Sequence, residues 1–150
     1  MIVRCIANTG EVLPENYIDP ARGYTKKVEL PLTVGKEYVV YAIRSWQGIV
    51  WYYICDDNYS YYPIQTPAPL FEVVDNRVSK YWQFMLDPNG VLRFAFEQWF
   101  TDPCFYDKLT DQEEAEVEIF EKVKELMDAE DFTLPPLEVA VEKLRETVSV

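Results

Sequence analysis

Two neighbouring runs decide the fold: KEYVVYAIR at residues 36–44 and IVWYYICD at residues 49–56. They are rich in Val, Ile, Tyr and Trp, the side chains that fit a pleated, half-buried surface. The four-residue connector Ser45-Trp46-Gln47-Gly48 contains a glycine and predicts a β-hairpin. Because both alternating faces of each run are apolar, the hairpin is either central in a sheet or part of a small barrel packed by further elements.

Further strands are predicted on both sides of this hairpin, at residues 1–7, 26–30, 59–65, 71–75 and 91–96. The run at residues 76–86 is predicted to begin as a turn and to end as a strand. Pro63 favours an edge position for the 59–65 run, since proline cannot donate to a ladder. Residues 67–70 predict a short helical turn. Residues 87–90, Asp-Pro-Asn-Gly, form a strong tight-turn sequence.

The composition changes after residue 100. Asp102-Pro103 predicts the start of a brief helix. Residues 110–130 contain no Gly or Pro, and Thr110 and Glu113 stand at the spacing of a capping box. An amphipathic helix is predicted there, with one apolar stripe formed by Ile119, Phe120, Val123, Leu126 and Met127. Pro135-Pro136 predicts the start of a further helix.

We therefore predict an α+β fold in a single domain of residues 1–150. Residues 1–100 are mainly β, as a twisted antiparallel sheet or an SH3-like, partly open barrel. Residues 101–150 are helical and pack on one side of it.

The formal net charge of −12 is unevenly distributed. Residues 107–131 carry 11 acidic and 3 basic side chains, a net charge of −8. Binding to nucleic acid or to an anionic membrane needs a surplus of Lys and Arg, so we expect neither. The composition is compatible with a basic protein partner, because an acidic face accelerates association with a basic protein.

Carboxylates recur every three or four residues along the predicted acidic helix. Such like-charged neighbours cost about 0.2–0.5 kcal/mol per pair, and alternation of Glu with Lys would have avoided this cost. The pattern is that of an ordinary solvated face, or of a face kept acidic for a basic partner. The candidate partner-binding residues are Glu114, Glu118, Glu121, Glu125 and Asp128.

A second candidate surface is aromatic. Trp46 lies in the predicted hairpin loop, where a side chain rarely packs inward, and Tyr59 and Tyr61 lie on the predicted edge strand. Exposed Trp and Tyr supply binding hot spots, although core packing and cross-strand pairing explain the same residues. As a surface, these three residues would line an SH3-like groove for a peptide.

The chain lacks the residues and motifs that most catalytic mechanisms need. The chain has no His, which removes the commonest general base, the His-activated nucleophiles and His-containing zinc sites. The five glycines are isolated and form no phosphate-binding loop. Paired carboxylates remain at Asp56 and Asp57, since glycoside hydrolysis needs only two, but Asp is also expected in a turn. We predict a protein that is not an enzyme and has no cofactor or metal.

Three cysteines, Cys5, Cys55 and Cys104, match no metal or redox spacing. We predict a reducing cytoplasm and three thiols buried as small apolar groups. No run approaches the ~20 apolar residues that cross a bilayer. The N-terminus is too short and too polar for a signal peptide.

The segments LTVGKEYVVYAI, WYYICDD and YPIQTPAPLFEVVD resemble the strand order of a small SH3-like barrel. Over residues 32–100, with the acidic helix following, the chain is also similar to small bacterial toxin-immunity proteins, including those paired with contact-dependent and other polymorphic toxins. The resemblance implies a cytoplasmic, non-enzymatic protein that binds one cognate toxin domain and neutralises it. It assigns no role to any numbered residue.

Three functional hypotheses result. The first is an immunity-type inhibitor whose acidic helix covers the basic cleft of a toxin, such as a nuclease, by mimicry of phosphate. The second is an SH3-like adaptor or peptide-binding module with an aromatic groove around Trp46. The third is an enzyme that uses carboxylates alone, at Asp56 and Asp57.

Overall fold

A computed structural model describes residues 1–59, 61–131 and 137–148. Within these ranges, eight strands precede four helices. The strands are β1 (Ile2–Cys5), β2 (Glu37–Val39), β3 (Ala42–Trp46), β4 (Ile49–Ile54), β5 (Ile64–Pro67), β6 (Phe71–Asp75), β7 (Trp82–Leu86) and β8 (Leu92–Phe96). The helices are α1 (Glu97–Thr101), α2 (Phe105–Thr110), α3 (Glu114–Asp128) and α4 (Leu137–Val148). The predicted α+β class is confirmed.

The described strands form two antiparallel sheets, and neither closes into a barrel. One has the order β2-β1-β6 and the other β5-β4-β3-β8-β7. The predicted hairpin is β3–β4, and its connector has only two residues, Gln47 and Gly48, rather than four. Both have positive φ, 49° and 79°, as a hairpin turn that matches strand twist requires.

The alternation predicted one strand at residues 36–44, but the run forms parts of two strands, β2 and β3. It divides at Val40 and Tyr41, where the chain leaves one sheet for the other. The Val40 N–H donates to the Met1 carbonyl at 3.1 Å, whereas the Tyr41 N–H donates to the Tyr53 carbonyl at 2.9 Å. This switch places β2 beside β1 and β3 beside β4, so the first run joins the two sheets.

Other strand boundaries differ in smaller ways. Residues 26–30 form no strand but contribute an isolated bridge between Thr9 and Glu29. The predicted edge strand begins at Ile64, and Ser60 lies outside the described residues. The strand at β6, the turn at residues 87–90 and a short 3-10 turn at Ala68–Leu70 are as predicted.

Both faces of the five-stranded sheet are covered around the hairpin. One face packs on the three-stranded sheet, where the largest cluster of buried side chains includes Val3, Val40 and Ile54. The other face packs on α1 and α2, with Trp99 and Tyr106 against Tyr53.

The last two helices differ in burial. Helix α3 packs through its own cluster, described below. The side chains of residues 141–148 of α4 are exposed, including Leu144 and Val148. Pro135 and Pro136, predicted to start this helix, lie outside the described residues.

Candidate functional site

Helix α3 is fixed in rotation by its buried side. Phe120 and Met127 are buried among side chains of β8 and α2. The ring of Phe120 lies 5.5 Å from that of Tyr41, edge to face, and 6.5 Å from that of Phe96. Such aromatic pairs stabilise one geometry beyond simple burial. The opposite side of α3 is therefore held facing solvent.

The carboxyl end of α3 is anchored by Asp128. The Tyr41 hydroxyl donates to its Oδ1 at 2.5 Å, and the Lys124 ammonium donates to its Oδ2 at 2.6 Å. Burial and this hydrogen bond raise the pKa of Tyr41 well above its ordinary value. The Lys124 ammonium also lies over the rings of Tyr41 and Tyr59, at 5.8 and 5.6 Å. Asp128, predicted to bind a partner, is thus occupied within the fold.

The remaining four predicted carboxylates form one line, named here the acidic stripe: Glu114, Glu118, Glu121 and Glu125. At about 100° per residue, their side chains leave the helix within an arc of about 60°. All four are exposed, and none has a hydrogen bond or salt bridge to a described residue. The stripe is therefore a concentrated, uncompensated negative charge on a rigid element.

The predicted capping box at the start of α3 is wrong. Thr110 belongs to the last turn of α2, where its hydroxyl donates to the Asp107 carbonyl at 3.0 Å. Glu113 is the N-cap residue of α3 and makes no side-chain capping bond. Glu114 and Glu116 occupy the first turn, where the helix dipole favours a carboxylate.

An apolar groove runs beside the acidic stripe, between α3 and Gln98 of α1. It is a shallow depression of about 520 Å³. Its other lining residues are Ala115, Glu118, Ile119, Lys122, Val123 and Leu126. Glu118 belongs to both surfaces, and the apolar residues of the groove share its lining with this carboxylate and with Lys122. This is the pattern of a protein interface, with an apolar centre and a charged rim.

The sequence did not separate this groove from the buried side of the helix. The predicted apolar stripe joins Ile119, Val123 and Leu126 with Phe120 and Met127, but Leu126 is 39% exposed and the other two groove residues are half-buried. At about 100° per residue the five side chains span an arc of about 120°. This width was the sign that they do not all belong to one buried line.

The aromatic candidates do not come together. Trp46 is exposed, as predicted, and its indole N–H donates to the Asn89 carbonyl at 3.1 Å. Tyr59 and Tyr61 are half-buried against the helices, and the Tyr61 hydroxyl donates to the Thr110 carbonyl at 3.1 Å. They follow the far end of β4, about 17 Å along the strand from Trp46. These three residues therefore do not line one peptide groove.

The neighbouring carboxylates Asp56 and Asp57 have separate environments. Asp57 accepts hydrogen bonds from Thr33 Oγ1, Lys36 Nζ and the Tyr38 hydroxyl, at 2.6, 2.7 and 2.8 Å. These donors, Lys36 first, lower the pKa of Asp57 to about 2. Burial raises the pKa of Asp56, whose Oδ1 accepts from the Asn58 N–H. Asp57 is thus a clamp between two loops.

The cysteines differ from the prediction at one position. Cys5 is buried and Cys55 is half-buried. Burial raises the pKa of the Cys55 thiol to about 12. Cys104 is exposed, because it lies before α2 while Phe105 beside it turns inward. The expectation that all three thiols are buried is therefore wrong for Cys104.

Comparison with protein-family models, with curated proteins and with solved structures gives no match to this chain. The resemblance to toxin-immunity proteins stays a prediction. In the part of the chain that the structure describes, no helix combines the length and apolar character that a membrane span needs. Nor does any group of three or more His, Cys, Asp and Glu side chains there form a cluster suited to a metal ion.

Proposed function

We propose that this chain is a small acidic immunity-type protein that binds a basic protein through helix α3 and neutralises it. The observation that carries the proposal is the acidic stripe: four exposed carboxylates, aligned on a rigid helix and without a salt bridge to any described residue. The apolar groove beside the stripe supplies the area that would be desolvated on binding.

None of the described Lys and Arg side chains forms a salt bridge with the acidic stripe. Lys124 is held by Asp128, and Lys108 pairs with Asp102 at 2.7 Å. Lys122 stands four residues after Glu118, yet the two form no salt bridge. An ordinary solvated face gains stability from such pairs, so their absence favours a face reserved for an external cation.

The dimensions suit a cleft. From Glu114 to Glu125 the stripe is about 16 Å long at 1.5 Å per residue. Carboxylates accept charge-assisted hydrogen bonds from Arg and Lys as phosphate oxygens do. In the proposed mechanism the stripe occupies the phosphate-binding cleft of a toxin such as a nuclease, and substrate is excluded by simple occupancy.

The test starts with two variants of this protein. One carries a photo-crosslinking side chain in place of Ala115, in the groove, and the other carries it in place of Lys27, on the N-terminal loop. The proposal expects a basic partner that crosslinks from position 115 and not from position 27. With that partner purified, Glu114, Glu118 and Glu121 are changed together to Gln. Affinity should fall at least tenfold at low salt, and its dependence on salt should flatten, because fewer charge pairs are screened.

The matched control changes Glu11, Glu29 and Glu142 to Gln, which removes the same charge from exposed positions that do not line the groove. This protein should bind the partner as the unchanged chain does and should still abolish its activity. Equal weakening by both triple variants, or none by the stripe variant, would show that α3 is only a solvated face.

A further inference from the structure

A cationic and aromatic cavity lies at the hairpin end of the five-stranded sheet. In the strand register, Arg44 of β3 stands directly opposite Arg93 of β8. Residues directly opposite in an antiparallel pair point to the same face, and like charges in that position destabilise the sheet. Trp51 stands opposite Arg44 on the other side, in β4. The fold therefore holds two guanidinium groups side by side, next to an indole ring.

The protein's own carboxylates compensate this pair poorly. Arg93 Nη1 lies 3.9 Å from Oδ2 of Asp87, at the long limit of a salt bridge, and the other oxygen of Asp87 accepts the N–H groups of Asn89 and Val91. Arg44 is half-buried and has no hydrogen bond or salt bridge to a described residue. The chain has 26 acidic and 14 basic side chains, yet none of the described carboxylates forms a salt bridge with Arg44.

Arg44 lines a cavity of about 200 Å³ between the hairpin and the N-terminal loop. Arg22 and Asp19 both line the loop side of this cavity, and they form a salt bridge with each other at 3.6 Å. The carboxylate in the lining is therefore paired with Arg22 rather than with Arg44. Trp46, Trp51 and Tyr24 form aromatic walls, with 5.1 Å between the ring centres of Tyr24 and Trp51.

The aromatic walls are fixed before any ligand arrives. The Tyr17 hydroxyl, at the cavity margin, accepts the Val50 N–H at 2.8 Å. The indole N–H of Trp46 is held by the Asn89 carbonyl, and the Tyr24 hydroxyl donates to the Gln65 carbonyl at 3.3 Å. A preorganised site loses less entropy when it binds a ligand.

We propose that this cavity binds a small planar aromatic anion. Its carboxylate or phosphate is held by the Arg44 guanidinium, whose planar fork suits both groups. Its ring lies against Trp46, Trp51 and Tyr24. Ligand pockets commonly measure about 300–1,000 Å³, so this smaller cavity limits the ligand to one or two rings. The site is separate from helix α3 and does not depend on the function proposed above.

The probes are indole-3-acetate and phenyl phosphate, with acetate and inorganic phosphate as ring-free controls at equal ionic strength. Binding is followed through the indole N–H resonances of Trp46 and Trp51 and through the melting temperature. At least one aromatic probe should move both resonances and raise the melting temperature, whereas its ring-free control should do neither. The probe that binds more tightly identifies the anionic group as carboxylate or phosphate.

Arg44→Gln should weaken this binding at least tenfold, and Arg44→Lys should restore part of it. Without ligand, Arg44→Gln should melt at the same or a higher temperature, since it relieves the pair with Arg93, and its indole spectrum shows that it folds. Arg4→Gln is the control, because Arg4 pairs with Glu37 and Glu72 in the other sheet and its loss changes the net charge equally. The proposal is overturned if no aromatic probe binds at millimolar concentration, if Arg44→Gln binds as well as the unchanged protein, or if the ring-free anions bind equally.

Discussion

At the scale of single residues, the Asp57 clamp shows how one carboxylate stabilises two loops. Three donors from residues 33–38 converge on it, and the side chain is about a quarter exposed, at 27%. A carboxylate with several donors in the folded state binds its proton less readily than in the unfolded chain. Asp57 therefore links the stability of the fold to pH.

We expect Asp57→Asn to lower the free energy of unfolding at neutral pH by about 1–3 kcal/mol, because three donors, one of them the hydroxyl of the buried Tyr38, lose a charged acceptor. The pKa of Asp57 in the folded protein is about 2, below its ordinary 3.8. Its contribution is therefore complete above the ordinary pKa and is lost as the pH falls through about 2. Urea unfolding, followed by tryptophan fluorescence, should show the difference between the two proteins shrinking from about pH 4 to about pH 2. A difference that stays constant down to pH 2 contradicts this account.

At the scale of elements, the attachment of α3 depends on the bond from Tyr41 to Asp128. Tyr41→Phe keeps the ring contact with Phe120 but leaves the carboxylate without this donor. Hydrogen bonds to charged groups contribute about 1.5–3 kcal/mol, so stability should fall by about that amount. Amide hydrogen exchange should rise most in the last turns of α3.

Tyr59→Phe is the matched control, since the Tyr59 hydroxyl makes no hydrogen bond to a described residue. It should leave the exchange of α3 almost unchanged. If the two variants accelerate exchange equally, the anchor is the aromatic packing rather than the hydrogen bond.

The elements also show what the sequence can predict. The hairpin β3–β4, strand β6 and helix α3 are present within the runs that predicted them, although α3 begins at Glu114 and β3 at Ala42, later than the patterns indicated. The division at Val40 and Tyr41 has no such mark, because both faces of that run are apolar and the alternation continues through the change of sheet. Thr110 was misplaced because a hydroxyl fits the end of one helix as well as the start of the next.

The candidate site divides in the same way. Spacing alone found the acidic stripe, because i, i+3 and i+4 positions share a helix face. It gave no sign that Asp128 is bound by Tyr41, which lies 87 positions earlier. The pairing of Arg44 with Arg93 likewise depends on strand register, which no local pattern in either strand determines.

At the scale of the whole molecule, the negative charge is concentrated where it opposes the fold. Residues 107–131 carry −8 of the total −12, and the stripe places like charges three or four residues apart. With about 0.2–0.5 kcal/mol for each of these pairs, the stripe costs roughly 1 kcal/mol of stability at low salt. A cost of this kind is expected where a surface serves binding rather than folding.

The stripe variant, with Glu114, Glu118 and Glu121 changed to Gln, should therefore be more stable than the unchanged protein at low salt. An advantage of about 1 kcal/mol corresponds to a melting temperature higher by about 2–4 °C for a chain of this size. Salt screens repulsion between exposed charges, so the advantage should shrink as sodium chloride rises to about 0.5 M. The control variant at Glu11, Glu29 and Glu142 makes the same change of charge at positions far apart in the sequence. Its melting temperature should rise less than that of the stripe variant. If the stripe variant melts below the unchanged protein at every salt concentration, these carboxylates stabilise the fold. The stripe would then not be a surface whose negative charge lowers stability.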